Sequence, residues 1–289
     1  MNRIGIMQGR LTPSVDDRIQ CFPHSNWQAE FALAAEAGLG CIEWIYDLYG
    51  ADVNPISNSE GVDKMIMLSK QHNVQVVSLC ADYFMDKPLV RANAFELKAR
   101  LGTLAWLMHR CKLLGINRLV LPFIDASRIN TDSELKSVIV TLKDTLQVSD
   151  VTGVEIHLET SLAPNEVAKL IAYVAHPMLK INYDSGNSAA LGFHPDDEFA
   201  AYGGHVGSVH IKDRIRNGGT VPLGHGDADF SALFDCLKRV SYKGDFILQV
   251  ARDAPGDEVI WAQKNRIFVR EYLLDGETRT RRSGYDKIL

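Results

Sequence analysis

Short apolar runs rich in β-branched and aromatic residues recur along the chain, at residues 3–8 (RIGIMQ), 40–45 (GCIEWI), 74–80 (VQVVSLC), 117–122 (NRLVLP), 153–159 (GVEIHLE), 179–184 (LKINYD), 206–211 (VGSVHI) and 245–250 (DFILQV). Between them, apolar positions fall at three- and four-residue spacing, the period of a helix with one buried face. Eight such alternations predict repeated βα units around a parallel sheet. No linker rich in Pro, Gly or Ser interrupts them, and eight units in about 250 residues fit a closed (β/α)8 barrel, an α/β fold. The expected organisation is one domain over residues 1–274. A polar, basic and aperiodic segment follows at 275–289, suited to a flexible tail or to an arm reaching another copy in a homo-oligomer.

Helix starts are marked by caps as well as by period. Ser25, Asn26, Trp27 and Gln28 read as a capping box opening a helix that buries Trp27, Phe31 and Ala34. Thr131, Asp132, Ser133 and Glu134 repeat the device before Leu135 and Val138, and Pro164 stands where a first-turn proline is tolerated. One long helix is expected over residues 91–114 with Leu97, Leu101, Leu104 and Met108 inward. Asp229 is expected to cap another that buries Phe230, Leu233, Phe234, Leu237 and Val240.

The last four strand-like runs each end in a residue that can bind a cation: Glu159, Asp184, His210 and Gln249. Side chains alternate between barrel interior and helix layer, so the apolar neighbours settle which way these point. Val154, Ile156 and Leu158 claim the helix side, which turns Glu155, His157 and Glu159 inward. The same parity turns in Asn182 with Asp184, Ser208 with His210 and Lys212, and Ile247 with Gln249. Active sites of such barrels gather at the carboxyl ends of the strands. A single strand-end Glu or His is more often a hydrogen-bonded core residue, but agreement of position and parity at all four points to one divalent-metal site. Two carboxylates and an imidazole suit Mn2+, Co2+, Mg2+ or Zn2+, with the Gln249 amide oxygen as a weaker fourth ligand.

Other polar residues share this end of the barrel. His157 is expected either behind the ligands or as a buried structural ring, and Glu43 either binds a substrate hydroxyl or pairs with Arg10. Lys212, Arg214, Arg216 and Arg252 follow the last two strands, where barrels often bind phosphate, and suit a phosphorylated or carboxylated substrate. The plainer reading of Arg214 and Arg252 is solvated loop charge beside Asp213 and Asp253. Bulk composition narrows the partners. A net charge of −5 gives no basic surface for nucleic acid. Five scattered cysteines without a CxxC fit a reducing, cytoplasmic setting. The apolar part of MNRIGIMQGR is short for a signal peptide, no run approaches the roughly 20 apolar residues of a membrane span, and no glycine pattern marks a dinucleotide site.

HLET with Glu159, YDSGN with Asp184, VHIKDR with His210 and PLGHGDADF with Gly224, Gly226 and Asp227 are the most specific motifs. Through them the chain resembles, over about residues 1–272, the xylose isomerase-like TIM barrels of the sugar phosphate isomerase/epimerase superfamily. The resemblance implies a metal held by Glu159, Asp184, His210 and position 249, acting on a small sugar or sugar phosphate. It also implies proton transfer through a metal-stabilised cis-enediolate with Glu159 as base, and substrate contacts near Asn187 and from Arg216, six residues past the metal histidine.

Two departures matter. Asn187 stands where many epimerases carry His, and Gln249 where they carry a second Glu; an amide can ligate a metal but cannot take a proton at neutral pH. Inverting one carbon usually needs a base on each face, whereas moving a proton between adjacent carbons, or eliminating water, can run with one. Two rivals therefore stand beside a sugar isomerase or epimerase. One is a metal-dependent lyase that dehydrates a keto-polyol, and the other is a binding or regulatory barrel that lost catalysis with the second Glu. The superfamily's endonuclease branch calls for further His and Glu ligands and a basic face, and neither is evident in the sequence.

Overall fold

The computed structural model describes residues 2–274, so the segment expected from 275 lies outside the described residues. Each of the eight apolar runs forms a strand: β1 (Ile4–Met7), β2 (Cys41–Ile45), β3 (Gln75–Cys80), β4 (Arg118–Phe123), β5 (Glu155–Thr160), β6 (Leu179–Asp184), β7 (Val206–Ile211) and, after a small hairpin of β8 (Asp213–Arg214) and β9 (Thr220–Val221), β10 (Phe246–Leu248). The eight long strands are parallel and close in the order β1, β10, β7, β6, β5, β4, β3, β2, a (β/α)8 TIM barrel. Around them lie α1 (Ala29–Glu36), α2 (Ser59–His72), α3 (Tyr83–Asp86), α4 (Ala94–Leu114), α5 (Asp132–Thr152), α6 (Pro164–Val174), α7 (Ser185–Leu191), α8 (Pro195–Tyr202), α9 (Phe230–Arg239) and α10 (Glu258–Leu274). Among the described residues no helix is long and apolar enough to cross a membrane.

Local chemistry explains most helix starts. Asn93 closes a full capping box with Glu96, so the helix expected from 91 begins at Ala94. Thr131 accepts from the Glu134 amide at 3.2 Å, but the Glu134 carboxylate answers Asn130 rather than its own cap. Asp229 caps α9 through the Ala232 amide at 2.8 Å, and Phe234 on that helix packs on Phe246 of β10 with ring centroids 5.4 Å apart. The box expected at Ser25 does not form. Turns closed by Asn26 N to Pro23 O and Ala29 N to Asn26 O delay α1 to Ala29, and the Ser25 hydroxyl pairs with the His24 ring at 2.9 Å. Trp27 is buried all the same, edge-on to Trp44 at 5.7 Å.

Two β-bulges set the barrel's inner register. Between β2 and β3 the partners step from Ile42 with Val76 to Glu43 with Ser78, leaving Val77 as the extra residue. Between β6 and β7 they step from Ile181 with Val206 to Asn182 with Ser208, leaving Gly207 over. Only glycine fits there, because a Cβ on Gly207 would lie 2.6 Å from His157 Cε1. Beyond the second bulge Asp184 stands directly opposite His210.

Candidate metal centre

Glu159, Asp184 and His210 meet at the carboxyl ends of β5, β6 and β7, all buried, with one ligand atom from each within 4.8 Å of the others. His210 Nδ1 lies 3.5 Å from Glu159 Oε2 and 3.9 Å from Asp184 Oδ2. Gln249, just past β10, joins them through a cation of the protein itself: its Oε1 accepts from Lys212 Nζ at 3.1 Å, and that nitrogen lies 3.6 Å from Asp184 Oδ2.

The imidazole is aimed from behind. Glu43, fully buried, accepts from His210 Nε2 at 2.7 Å and from the Ser78 hydroxyl at 2.6 Å, the residue its bulge places opposite. Arg10, the other partner expected for Glu43, instead donates to Val250 O, Ile19 O and Gln20. With Nε2–H committed to Glu43, the Asn182 amide donates to Nδ1 at 3.0 Å, so the geometry is that of the neutral ring with its lone pair turned into the cluster. Burial opposes a second proton on that ring, but the Glu43 charge and hydrogen bond, backed by Glu159 and Asp184, outweigh it and lift the His210 pKa to about 9. Glu43 is itself held below the usual carboxylate range: burial pushes it up, and His210 and Ser78 prevail.

Glu159 is held at both oxygens. Oε1 accepts from Asn187 Nδ2 at 2.6 Å, and Oε2, on the cluster side, accepts from Asn182 Nδ2 at 3.3 Å. Burial, then the Asp184 charge, pushes its pKa up to about 7, with His210 and Lys212 pulling the other way. Arg214 Nη1 donates to Asn187 Oδ1 at 2.9 Å, so the hairpin arginine reaches the cluster through one amide. Arg216 is exposed, its backbone amide bound to Asp227 and its guanidinium packed over Gly192. Arg252 donates to Ile19 O, Thr12 O and Gly9 O, stapling the loop after β1 to the end of β10. His157 sits deeper, between the Ser208 hydroxyl at 2.7 Å and Glu155 at 3.0 Å, its pKa lowered chiefly by burial. In PLGHGDADF the amides of Gly224, Gly226 and Ala228 wrap the Asp213 carboxylate, which shapes the mouth without touching the cluster.

The donor set fits a divalent ion. Asp184 Oδ1 is spent on the Asn187 amide at 2.8 Å, where it caps α7, while Oδ2 is buried without a hydrogen bond. A buried carboxylate oxygen with no donor is costly, and a cation between it, Glu159 Oε2 and His210 Nδ1 would satisfy it. Asn182, Ser78, Ser208 and Gln20 complete the arrangement and were not among the site residues expected from the sequence, and Arg214, expected either at a substrate anion or as solvated loop charge, joins them through Asn187. Parity had turned Asn182 and Ser208 inward; Ser78 and Gln20 carry no sequence signal that separates them from other polar residues.

The family model of the xylose isomerase-like TIM barrel matches residues 31–271. The L-ribulose-5-phosphate 3-epimerase UlaE of Escherichia coli is 27% identical over 136 residues, 45% of this chain and 48% of the relative, so the chain spans about half the length of the curated relatives it matches. Among solved structures, an L-ribulose 3-epimerase superposes with a TM-score of 0.75 at 18% identity, covering 94% of this chain and 95% of the other. The IolI protein, solved with a zinc atom, gives 0.75 at 16% over 93% and 99%. The 3-keto-D-glucoside 4-epimerase YcjR of E. coli gives 0.71 at 18% over 94% and 100%. At these identities the structural likeness is one of fold. With the family model covering most of the chain, the protein belongs to the xylose isomerase-like TIM barrel family.

Proposed function

We propose that the protein is a divalent-metal-dependent isomerase or epimerase of a small sugar or sugar phosphate, with Glu159 as the base. The observation that carries this reading is the double anchoring of Glu159, whose Oε2 faces Asp184 and His210 while Oε1 rests on Asn187. One carboxylate can then ligate a cation and keep a lone pair for a substrate proton. A divalent ion held by Glu159, Asp184 and His210 supplies Lewis acidity to a substrate carbonyl. Glu159 takes a proton from the carbon beside that carbonyl, and the electron pair left behind makes a cis-enediolate. The same carboxyl returns the proton to the neighbouring carbon while the hydroxyl proton passes between the two cis oxygens of the enediolate. Asn187, Lys212 and Arg214 are positioned to meet substrate oxygens, and Glu43 and His157 support the residues that do the chemistry. Sugar as the substrate class draws on the curated relatives, which are sugar-phosphate 3-epimerases.

Gln249 favours a second reading. Its amide, committed to Lys212 and Gln20, offers no base on the opposite face, so β-elimination of water from a keto-polyol shares the first half of the reaction. Incubation of Mn2+-loaded protein with ketoses and ketose phosphates in D2O, followed by NMR, tests both. Isomerisation washes deuterium into a carbon position, and elimination yields an enone or diketone. Glu159→Gln should lower exchange by at least about a hundredfold while the circular dichroism spectrum is kept; near-normal exchange in that variant rules out Glu159 as the base.

A further inference from the structure

We propose that Lys212, carried by Gln249, forms an anion seat beside the cation site, and that the ligand it takes is a sugar acid whose carboxylate is bonded to the carbon whose oxygen meets the cluster. The inference rests on reading the cluster as a metal site and adds the chemistry of what binds there. The seat is built. Asp82 Oδ2 accepts from Gln20 Nε2 at 2.7 Å, Gln20 Oε1 accepts from Gln249 Nε2 at 2.9 Å, and Gln249 Oε1 is thereby left to accept from Lys212. A relay that starts at a carboxylate can run in one direction only, so the amide at position 249 presents oxygen, not N–H, to the lysine. The lysine stem is accommodated too: a Cβ on Gly186 would lie 2.7 Å from Lys212 Cγ, and the Ser185 hydroxyl bonds the Lys212 backbone on both sides, 2.7 Å from its carbonyl and 3.0 Å from its amide. These contacts account for Ser185 and Gly186 in the DSGN motif.

Charge then selects the ligand. Glu159, Asp184 and, behind His210, Glu43 bring three negative charges, Gln249 and a cation-bound His210 bring none, and Lys212 brings one positive. A divalent cation brings this buried group from two net negative charges to none, and by taking Asp184 it leaves the Lys212 ammonium with the neutral Gln249 oxygen as its hydrogen-bond partner. Around it, Asp82 and Arg214 are of opposite sign and hydrogen-bonded to Gln20 and Asn187. A largely buried ammonium without an anionic partner is costly, and a ligand carboxylate at this point supplies one. Position separates carboxylate from phosphate. Lys212 Nζ is 3.6 Å from Asp184 Oδ2, an oxygen of the cluster itself, so a ligand that meets the cluster through one oxygen reaches Lys212 with an anion on the adjacent atom. The terminal phosphate of a sugar phosphate lies several bonds farther along the chain. A second Glu at 249 would cancel the seat by neutralising Lys212.

The test uses Mn2+-loaded full-length protein and three unreactive probes of one length: erythritol, erythronate and erythritol 4-phosphate. Binding is read by calorimetry and by loss of water-proton relaxation at the manganese. Erythronate should bind about 10- to 100-fold more tightly than erythritol and more tightly than the phosphate, the range for a hydrogen bond to a charged partner. Lys212→Met, and independently Gln249→Glu, should bring the erythronate-to-erythritol ratio close to one. Equal binding of erythronate and erythritol, a preference for the phosphate, or a ratio unmoved in both variants overturns the seat with the metal reading intact. Failure of wild-type protein to bind Mn2+ overturns both.

Discussion

Replacing Glu43 by Gln removes a charge that stands behind the cluster, and the structure assigns it two opposite effects on a bound cation. The Glu43 hydrogen bond, 2.7 Å from His210 Nε2, holds the ring with Nδ1 facing Glu159 and Asp184 and makes that nitrogen a better donor. Loss of such a partner costs about 10- to 100-fold in metal affinity. The same carboxylate is the strongest of the influences that raise the His210 pKa to about 9. At pH 7 a cation must therefore displace a favoured proton, a penalty on the order of 3 kcal/mol. With Gln at 43, burial is left as the dominant influence, the pKa falls toward or below the ordinary histidine range, and most of that penalty disappears. Near pH 7 the two effects largely cancel. At pH 9, where half of the wild-type rings are already neutral, the lost hydrogen bond stands alone. The expected result of Mn2+ titrations is a variant-to-wild-type Kd ratio near one at pH 7 that climbs to about 10–100 by pH 9. A ratio that is flat across this range refutes the reasoning, because Glu43 would then not act through the His210 proton.

Asp184 has two jobs that substitution separates: Asp184→Ala should lose both the metal ligand and the α7 cap, costing about 0.5–2 kcal/mol in urea unfolding of the metal-free protein. Asp184→Asn should keep the cap and most of the stability while Mn2+ affinity still falls by at least about a hundredfold. Gly207→Ala puts a methyl against the His157 ring in the barrel interior and should destabilise by roughly 1–3 kcal/mol, visible as a lower urea midpoint with an unchanged slope. Mn2+ at a hundred times its Kd should raise the unfolding free energy by about 2.7 kcal/mol, reversed by EDTA, and the gain should shrink as pH falls from 9 to 6 because Glu159 and His210 must first lose protons.

The strands were legible because apolar runs of strand length with polar inward positions leave few other ways to bury them. All eight expected runs are barrel strands, with ends within about two residues of those expected. The helix start at Ser25 was not legible, since a capping sequence competes with any turn that closes first, here the one accepting at Pro23 O. At the site, parity along β5, β6 and β7 brought Glu159, Asp184 and His210 to one face, and the structure places them together. Other expectations turned on distance in space. Glu43 was open between substrate and Arg10, and its partner proved to be His210, 167 residues away across the closed barrel. Among the basic residues Lys212 and Arg214 make the polar contacts nearest the cluster, while Arg216 is exposed beside Gly192.

What this chain's sequence determines by itself is the barrel and the inward direction of its strand-end polar residues, since both follow from alternation along single strands. What only the tertiary structure decides is pairing across strands. Inserting Val77 and Gly207 as bulged residues shifts their strands by one position against the neighbours, sets Ser78 opposite Glu43 and Asp184 opposite His210, and so places Nε2 of the histidine on Glu43 and Nδ1 toward the cluster. Register between strands far apart in sequence is a property of contacts, and no pattern read along one strand contains it.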